Sequence, residues 1–518
     1  MQVELKMNPK IGMPKTLGEI LPYAASRFGS KPALIAGDAE LSFLELEAQT
    51  NQLANAFVNL GVQPGERITL YGTNCSEWVV SYYAALKVGA VINPINVMLT
   101  PEEVSYVAND CGSAVLLGTA DKLAPLTDIK QQSPIRELIC FGDEVPAGML
   151  SFNALLNGES SEFEPVVSQA DSLSTICYTS GTTGHPKGAM HSHRNVLINA
   201  NMTALMHGRT DKDTVVTALP CSHVYGNVVM NAAMIKGMTL VLHSRFDEKV
   251  ILESMQAHKA TLFEGVPTMY MYLLNHPELD QYDLSSLRIC TVGGQTMPVA
   301  KMEEVERRFD CPLIELWGMT ELAGLGTTSA DSGPIERGSI GVTLPYVEAK
   351  VVDTEDASKT LGVDEVGELM MKGPIVMMGY YGNDTGTAET IEPDGWLHTG
   401  DVARIDKSGH IFIVDRKKDM IVTAGFNVYP AELERVISGH PDVAMVAVGA
   451  VKDEKKGELA KAYIIPKDGT QPAAEAIISY CREHLAAYKV PREIQFVDDF
   501  PKTSSGKVMR RKLHELDT

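Results

Sequence analysis

The chain has 518 residues, 44% apolar and 21% charged, with a formal net charge of −21. That length exceeds a single hydrophobic core, sets an expectation of about two to four domains, and the composition excludes a disordered chain. The acidity excludes binding of nucleic acid or anionic lipid through the overall field, so an anionic ligand must be met by local Lys, Arg and backbone N–H groups.

Cys75, Cys111, Cys140, Cys177, Cys221, Cys290, Cys311 and Cys481 are scattered, and none forms a C-x-x-C pair. Neither a structural zinc site nor a disulfide framework is indicated, and buried thiols in a reducing cytosol are the plain reading. Met1 to Leu21 mixes charges and prolines with its apolar residues, so no signal peptide is expected. The most apolar run, "VVSYYAALKVGAVINPI", is broken by Lys87 and Pro94 and falls short of a membrane span. The expectation is a cytoplasmic protein with no integral membrane segment; contact with a membrane surface and a homodimer are left open.

In chain order, "SFLELEAQTNQLANAFVNLG" opens with a capping box, Ser42 with Glu45. Leu46, Leu53, Phe57 and Leu60 share one helical face, and Gly61 supplies a stop. "RITLYG" reads as a short buried strand. "EEVSYVANDCG" then "AVLLG", and "LESMQAHKA" then "TLFEGV", repeat the helix-then-strand order. Such alternation predicts α/β architecture, with parallel-rich sheets covered by helices. From Gly338 the texture changes, and "AKVVDTEDASKTLGVDEVGELMMKG" reads as hairpins. After the charge cluster Asp415 to Asp419, a small α+β unit is expected. The predicted division is a large N-terminal domain, 1–415, and a small mobile C-terminal α+β domain, 416–518. The large domain would comprise α/β subdomains 1–170 and 171–337 and a β-barrel-like subdomain 338–415.

Between these elements lies "YTSGTTGHPKGAM", Tyr178 to Met190. Gly181, Gly184 and Gly188 let the backbone approach an anion, Thr179, Ser180, Thr182 and Thr183 offer hydroxyls, and Lys187 offers a cation. A phosphate loop is predicted, leading from strand-like "STICYTS" towards a helix from Ser192 with Val196, Ala200 and Leu205 as its apolar residues. It is not a P-loop, because no Ser or Thr follows Lys187 to hold magnesium.

This loop resembles the signature of adenylate-forming enzymes, the superfamily of acyl-CoA synthetases, peptide-synthetase adenylation domains and luciferases. "WGMTE" (Trp317 to Glu321), "GEL" (Gly367 to Leu369), "WLHTGD" (Trp396 to Asp401), "DRKKDMIVTAGFNVYPAELE" (Asp415 to Glu434) and "PKTSSGK" (Pro501 to Lys507) match that superfamily in order. The segment Asp415 to Glu434 and "DGWLHTGD" look most like bacterial fatty acyl-CoA synthetases.

The resemblance implies a two-step ligase using ATP, Mg²⁺ and coenzyme A on a small carboxylic acid. Thr179, Ser180, Gly181, Thr182, Thr183, Gly184 and Lys187 would hold the β- and γ-phosphates. Trp317 and Gly318 would meet adenine, although the superfamily usually has Gly-Tyr where this chain has Leu316 and Trp317. Thr320 would bond the α-phosphate, and Glu321 would hold magnesium as a hard oxygen ligand. Asp401 and Arg416 would reach the ribose, and "VGGQTMP", with Gly293, Gly294 and Gln295, would line the adenine and acyl pockets. Glu321 alone is as readily a surface carboxylate, and the glycine pair a plain strand-to-turn.

His223 would border the acyl carboxylate. Lys507 would bridge carboxylate and α-phosphate during adenylation. Lys418 is the implied hinge, and the face around Gly425 the implied thiol tunnel. Tyr225, Val229, Gly293, Gly318 and Leu322 are the expected acyl-pocket residues, with Arg245 a candidate partner for a second carboxylate. His191 and His193 read as helix-start residues. A medium- or long-chain fatty acid is the first expectation for the substrate, an aryl or short dicarboxylic acid the second, and a non-catalytic acyl- or nucleotide-binding relative the third.

Overall fold

The computed structural model describes residues 13–179, 186–417, 419–423, 426–453, 457–467, 469–503 and 507–517. Two large sheets form its frame. In the nine-stranded sheet, Thr239–Leu242, Thr214–Thr217, Leu262–Gly265, Ile289–Gly293 and Leu313–Met319 run parallel, with antiparallel Gly324–Thr328 beside the last of them. In the eight-stranded sheet, Leu173–Thr179, Val91–Pro94, Arg67–Tyr71, Ser113–Thr119 and Glu137–Phe141 run parallel, with Lys187–Ser192 antiparallel at the Leu173–Thr179 side. Strands buried on both faces read as continuous apolar runs, as in "TLVL" of Thr239–Leu242.

The helices form where their signals lie. Ser42 Oγ accepts the Glu45 N–H at 3.2 Å, Glu45 returns the bond to the Ser42 N–H at 2.9 Å, and helix Phe43–Asn59 follows. Its Leu46, Leu53 and Phe57 are buried in the main core.

A division at residue 170 does not follow the sheets. The hairpin Pro32–Ala36 and Ala39–Ser42 joins the nine-stranded sheet, while Leu173–Thr179 and Lys187–Ser192 join the eight-stranded one. Periodicity marks a strand but not its partner, and these partners are distant in sequence. Nor does a helix follow the phosphate loop directly. The antiparallel strand Lys187–Ser192 intervenes, and Ser192 then caps helix His193–Met206. Val196 and Ala200 of that helix are buried, but Leu205 is exposed.

Residues 348–416 contain a four-stranded antiparallel sheet in the linear order Glu348–Val352, Gly367–Lys372, Leu397–Ile405, Ile411–Arg416, where a barrel-like unit was expected. Beyond it, Ile421–Thr423, Phe426–Val428, Val443–Asp453, Gly457–Pro466 and Glu493–Phe496 form a separate sheet. Helices Pro430–Ile437 and Ala474–His484 cover that sheet, and the core, from Ile421 to Val490, is distinct from the main one.

Arg510 clasps the segment where these two cores meet. Its guanidinium donates to Glu434 at 2.5 and 3.1 Å, to Asp415 at 3.2 Å and to Asp419 at 3.5 Å. Asp415 also accepts the N–H groups of Arg416 and Ala431 at 2.7 and 2.8 Å. Asp415 is buried and its partners are half-buried, so removing Arg510 leaves charge that water screens only in part, a loss of about 1–3 kcal/mol. Arg510→Ala is therefore expected to destabilise the small domain by about that amount, read as an early transition in urea followed by limited proteolysis. Unfolding and cleavage unchanged from the parent protein would contradict this.

Candidate active site

The parallel strands of the nine-stranded sheet end on one side, and the loops leaving those ends carry the candidate residues. Strand Thr214–Thr217 leads to His223, Ile289–Gly293 to Gly294 and Gln295, and Leu313–Met319 to Thr320 and Glu321. The Thr179/Lys187 hairpin comes from the other large sheet, Asp401 and Arg416 from the antiparallel sheet, and Lys507 from the small domain. Gly294, His223, Asp401 and Arg416 thus lie about Lys507 of the small domain, while Lys187 belongs to a second group around Glu321.

Gly294 sits at φ 89°, and a Cβ built there would lie 2.5 Å from Lys507 Cε. Only a residue without a side chain admits the lysine stem at that point. Burial first, then the Arg416 charge, lowers the Lys507 pKa to about 8, with Asp401 opposing both. Lys507 in turn acts on His223. Desolvation first, then the Lys507 charge, lowers the His223 pKa to about 3. The ring is therefore neutral, and because Nδ1 accepts the Tyr225 N–H at 3.2 Å, the proton resides on Nε2.

Asp401 is 5% exposed, and desolvation raises its pKa against the opposing Arg416 charge and the Trp317 hydrogen bond. The Trp317 indole N–H donates to its Oδ2 at 2.7 Å, and Arg416 Nε lies 3.2 Å from its Oδ1. Trp317 is thus more than a flat face. The turn presenting Asp401 is braced by Glu368, whose buried carboxylate accepts the Gly400 N–H at 3.3 Å and pairs with Lys417 at 3.2 Å.

A second group surrounds Glu321. The Tyr380 hydroxyl donates to Glu321 Oε1 at 2.8 Å, and Lys187 Nζ stands 5.1 Å from the centre of the Tyr380 ring. Glu321 Oε2 makes no hydrogen bond among the described residues. Thr179 pairs with Lys187 across the hairpin, its hydroxyl 3.4 Å from the Lys187 carbonyl. His191 is buried and kept neutral by desolvation, with its pKa lowered to about 4. Its Nε2 therefore donates to the Thr320 carbonyl at 2.7 Å.

Sequence reasoning missed the roles of Tyr380, Glu368 and His191. His191 lies in strand Lys187–Ser192 rather than at a helix start, whereas His193 does open the helix and accepts the Leu17 N–H at 3.2 Å. Tyr380 gives no local signal, since its place follows from Gly379–Tyr380 pairing with Ala189 and Met190 at the sheet edge.

Other expected residues stand apart from these groups. Val229 and Leu322 are buried in the main core. Gly293 and Gly318 answer packing demands, since an added Cβ would meet Leu316 Cδ1 at 2.2 Å and the Gly324 carbonyl at 2.1 Å. The Tyr225 hydroxyl is bonded to Thr291 Oγ1 at 2.7 Å, Thr291 to Glu264 at 3.0 Å, and Glu264 to Arg209 at 2.7 Å, the last two side chains fully buried. Arg245 is exposed on a cavity of about 350 Å³ that Tyr272 and Lys502 also line. Ser180, Gly181, Thr182, Thr183, Gly184, Lys418 and Gly425 lie outside the described residues.

Trp317→Phe keeps the ring and removes the donor to Asp401. A hydrogen bond to a charged group is worth about 1.5–3 kcal/mol, so KM for nucleotide is expected to rise about tenfold or more. KM for the acid should stay within about twofold, because the ring is kept. An unchanged nucleotide KM in steady-state assays would contradict the role given to the indole N–H.

Known proteins resemble this chain over nearly its whole length. The family described as AMP-binding enzyme matches residues 21–381, and its C-terminal domain matches residues 432–507. A long-chain-fatty-acid–CoA ligase of Bacillus subtilis is 33% identical, over 97% of this chain and 95% of that protein. A crystal structure of an anthranilate CoA ligase in complex with anthranoyl-AMP superposes with a TM-score of 0.92 at 29% identity, covering 98% of each chain. ATP-bound MatB from Rhodopseudomonas palustris gives a TM-score of 0.89 at 30% identity, over 97% of this chain and 99% of that one. No helix among the described residues is long and apolar enough to cross a membrane. The chain belongs to the AMP-binding enzyme family of the adenylate-forming superfamily and is an AMP-forming acid–CoA ligase.

Proposed function

We propose that this ligase activates a medium- or long-chain fatty acid in the cytoplasm and delivers it to coenzyme A. The observation that carries the assignment of roles is the seating of Lys507 against Gly294, beside His223, Asp401 and Arg416. A carboxylate is a poor acyl donor, so its oxygen first attacks the α-phosphorus of ATP. The bond to pyrophosphate breaks and acyl-AMP forms. The CoA thiol, losing its proton, then attacks the acyl carbon and expels AMP.

In the first step negative charge spreads over the carboxylate and α-phosphate oxygens. Lys507 is the cation held where that charge develops. His223, neutral with its proton on Nε2, donates a hydrogen bond to the carboxylate and keeps it from drifting. Asp401 accepts from the ribose hydroxyls while Trp317 and Arg416 fix its two oxygens. Lys187 and the loop before it hold the departing pyrophosphate.

Glu321 fits a magnesium ion, since one carboxylate plus substrate phosphates is the usual donor set and its Oε2 is not engaged by the described residues. Bound there, the ion would neutralise charge on the phosphate oxygens. For the second step the small domain turns about Lys418, withdraws Lys507 and brings the face around Gly425 to the thiol path.

The relative from Bacillus subtilis supports the fatty-acid reading. The aryl or short dicarboxylic alternative is supported by the polar chain behind Tyr225 and by Arg245 on its cavity. Acid-dependent pyrophosphate release across C6 to C18 acids, benzoates and dicarboxylates separates the two. We expect turnover on the alkyl acids; activity confined to benzoates or diacids would overturn the first reading.

Two outcomes test the role of Lys507. Lys507→Ala is expected to cut acyl-AMP formation at least about 100-fold while thioester formation from supplied acyl-AMP stays within about twofold. Equal loss of both half-reactions would contradict the domain rotation. Because the ammonium is the active form and its pKa is lowered to about 8, kcat/KM for adenylation should be level below that pH. It should fall about tenfold per unit above it. A pH–rate profile with no alkaline limb attributable to Lys507 would contradict this.

A further inference from the structure

Gln295 follows the glycine that cradles Lys507, and its carboxamide reaches across the domain boundary. The Val508 N–H donates to Gln295 Oε1 at 3.1 Å, and Gln295 Nε2 donates to the Val508 carbonyl at 3.5 Å. One side chain thus pairs with both polar backbone groups of the residue next to Lys507, much as a neighbouring strand would. The turn it grips is internally tied. Lys507 N–H donates to Thr503 Oγ1 at 3.1 Å, Thr503 N–H donates to the Lys507 carbonyl at 2.8 Å, and Lys502 and Val508 form an isolated β-bridge. A second bond crosses the same boundary, from Lys502 Nζ to the Tyr272 hydroxyl at 2.7 Å.

We infer that Gln295 is a positioning residue for the first half-reaction only: its carboxamide registers the Val508 peptide, and thereby seats Lys507 over Gly294 when the small domain is in the adenylation orientation. Gly294 supplies room and Gln295 supplies register. An ammonium on a four-carbon stem has many rotamers, and holding the backbone next to it removes a source of misplacement that a flexible side chain cannot correct. This contact is not made in the second half-reaction, because Val508 leaves with Lys507. Part of what stabilises the adenylation orientation is therefore this amide pair, and its loss shifts the population towards the other orientation.

This inference rests on the two-step reading above, and the half-reactions separate their failures. In the full-length protein, single-turnover acyl-AMP formation and thioester formation from supplied acyl-AMP are measured for the parent, Gln295→Ala and Gln295→Glu. Gln295→Ala is expected to slow acyl-AMP formation roughly 10- to 100-fold, with KM for ATP within about twofold. Thioester formation from supplied acyl-AMP should be unchanged or faster, which also shows that the variant is folded. Gln295→Glu keeps the acceptor for the Val508 N–H and should retain more adenylation than Gln295→Ala. Equal loss in both half-reactions, or none in the first, would overturn the inference. A parent protein that forms no acyl-AMP from any acid would overturn the reading on which it rests.

Discussion

The arrangement depends on one cation placed between two domains. Lys507 belongs to the small domain, yet its stem lies where a Cβ on Gly294 of the large domain would be. Taking an ammonium out of water disfavours its charged form, and the shift of its pKa to about 8 records that cost. Asp401 opposes the shift, and the lysine remains a cation at neutral pH. The surrounding structure holds this one group in register: Gln295 on the Val508 peptide, Arg510 on Asp415 and Glu434, and Lys502 on Tyr272.

A chain of net charge −21 that must hold a polyanion faces an evident conflict. It is met locally. Arg416 and Lys507 come from two structural units and lie close enough to act on each other, and Lys187, from a third, stands over Tyr380 beside Glu321. The two carboxylates needed there each bond a neutral donor, Asp401 the Trp317 indole and Glu321 the Tyr380 hydroxyl. The neutral donor fixes Glu321 without consuming positive charge, whereas Asp401 also pairs with Arg416 at 3.2 Å. Histidine is used in the same spirit. Burial keeps His191 and His223 neutral, so they orient through N–H groups rather than through charge.

Much of this could be read from residue order, and the limits have physical causes. The capping box at Ser42, the buried parallel strands and the change of texture near Gly338 are local signals, and local periodicity carries them. Lys507, Asp401, Arg416 and Trp317 were legible as motif positions. The Trp317–Asp401 bond was not, because it spans 84 residues of sequence. Tyr380 was missed, and Glu368 stood only as a motif position without a role, for the same reason: each acts through a strand pairing or turn that no window of sequence displays. The sheet membership of Pro32–Ser42, Leu173–Thr179 and Lys187–Ser192 was misassigned because pairing partners are a tertiary property. Leu205 lies nine residues beyond Val196, on the opposite face of a helix with about 3.6 residues per turn, and it is exposed.

The central claim is that acid and ATP react at this cleft before coenzyme A is needed. Exchange of labelled pyrophosphate into ATP, with a carboxylic acid present and coenzyme A absent, tests it most directly. Exchange is expected to require the acid and to proceed without coenzyme A. Exchange that appears only when coenzyme A is added, or that is indifferent to the acid, would contradict it.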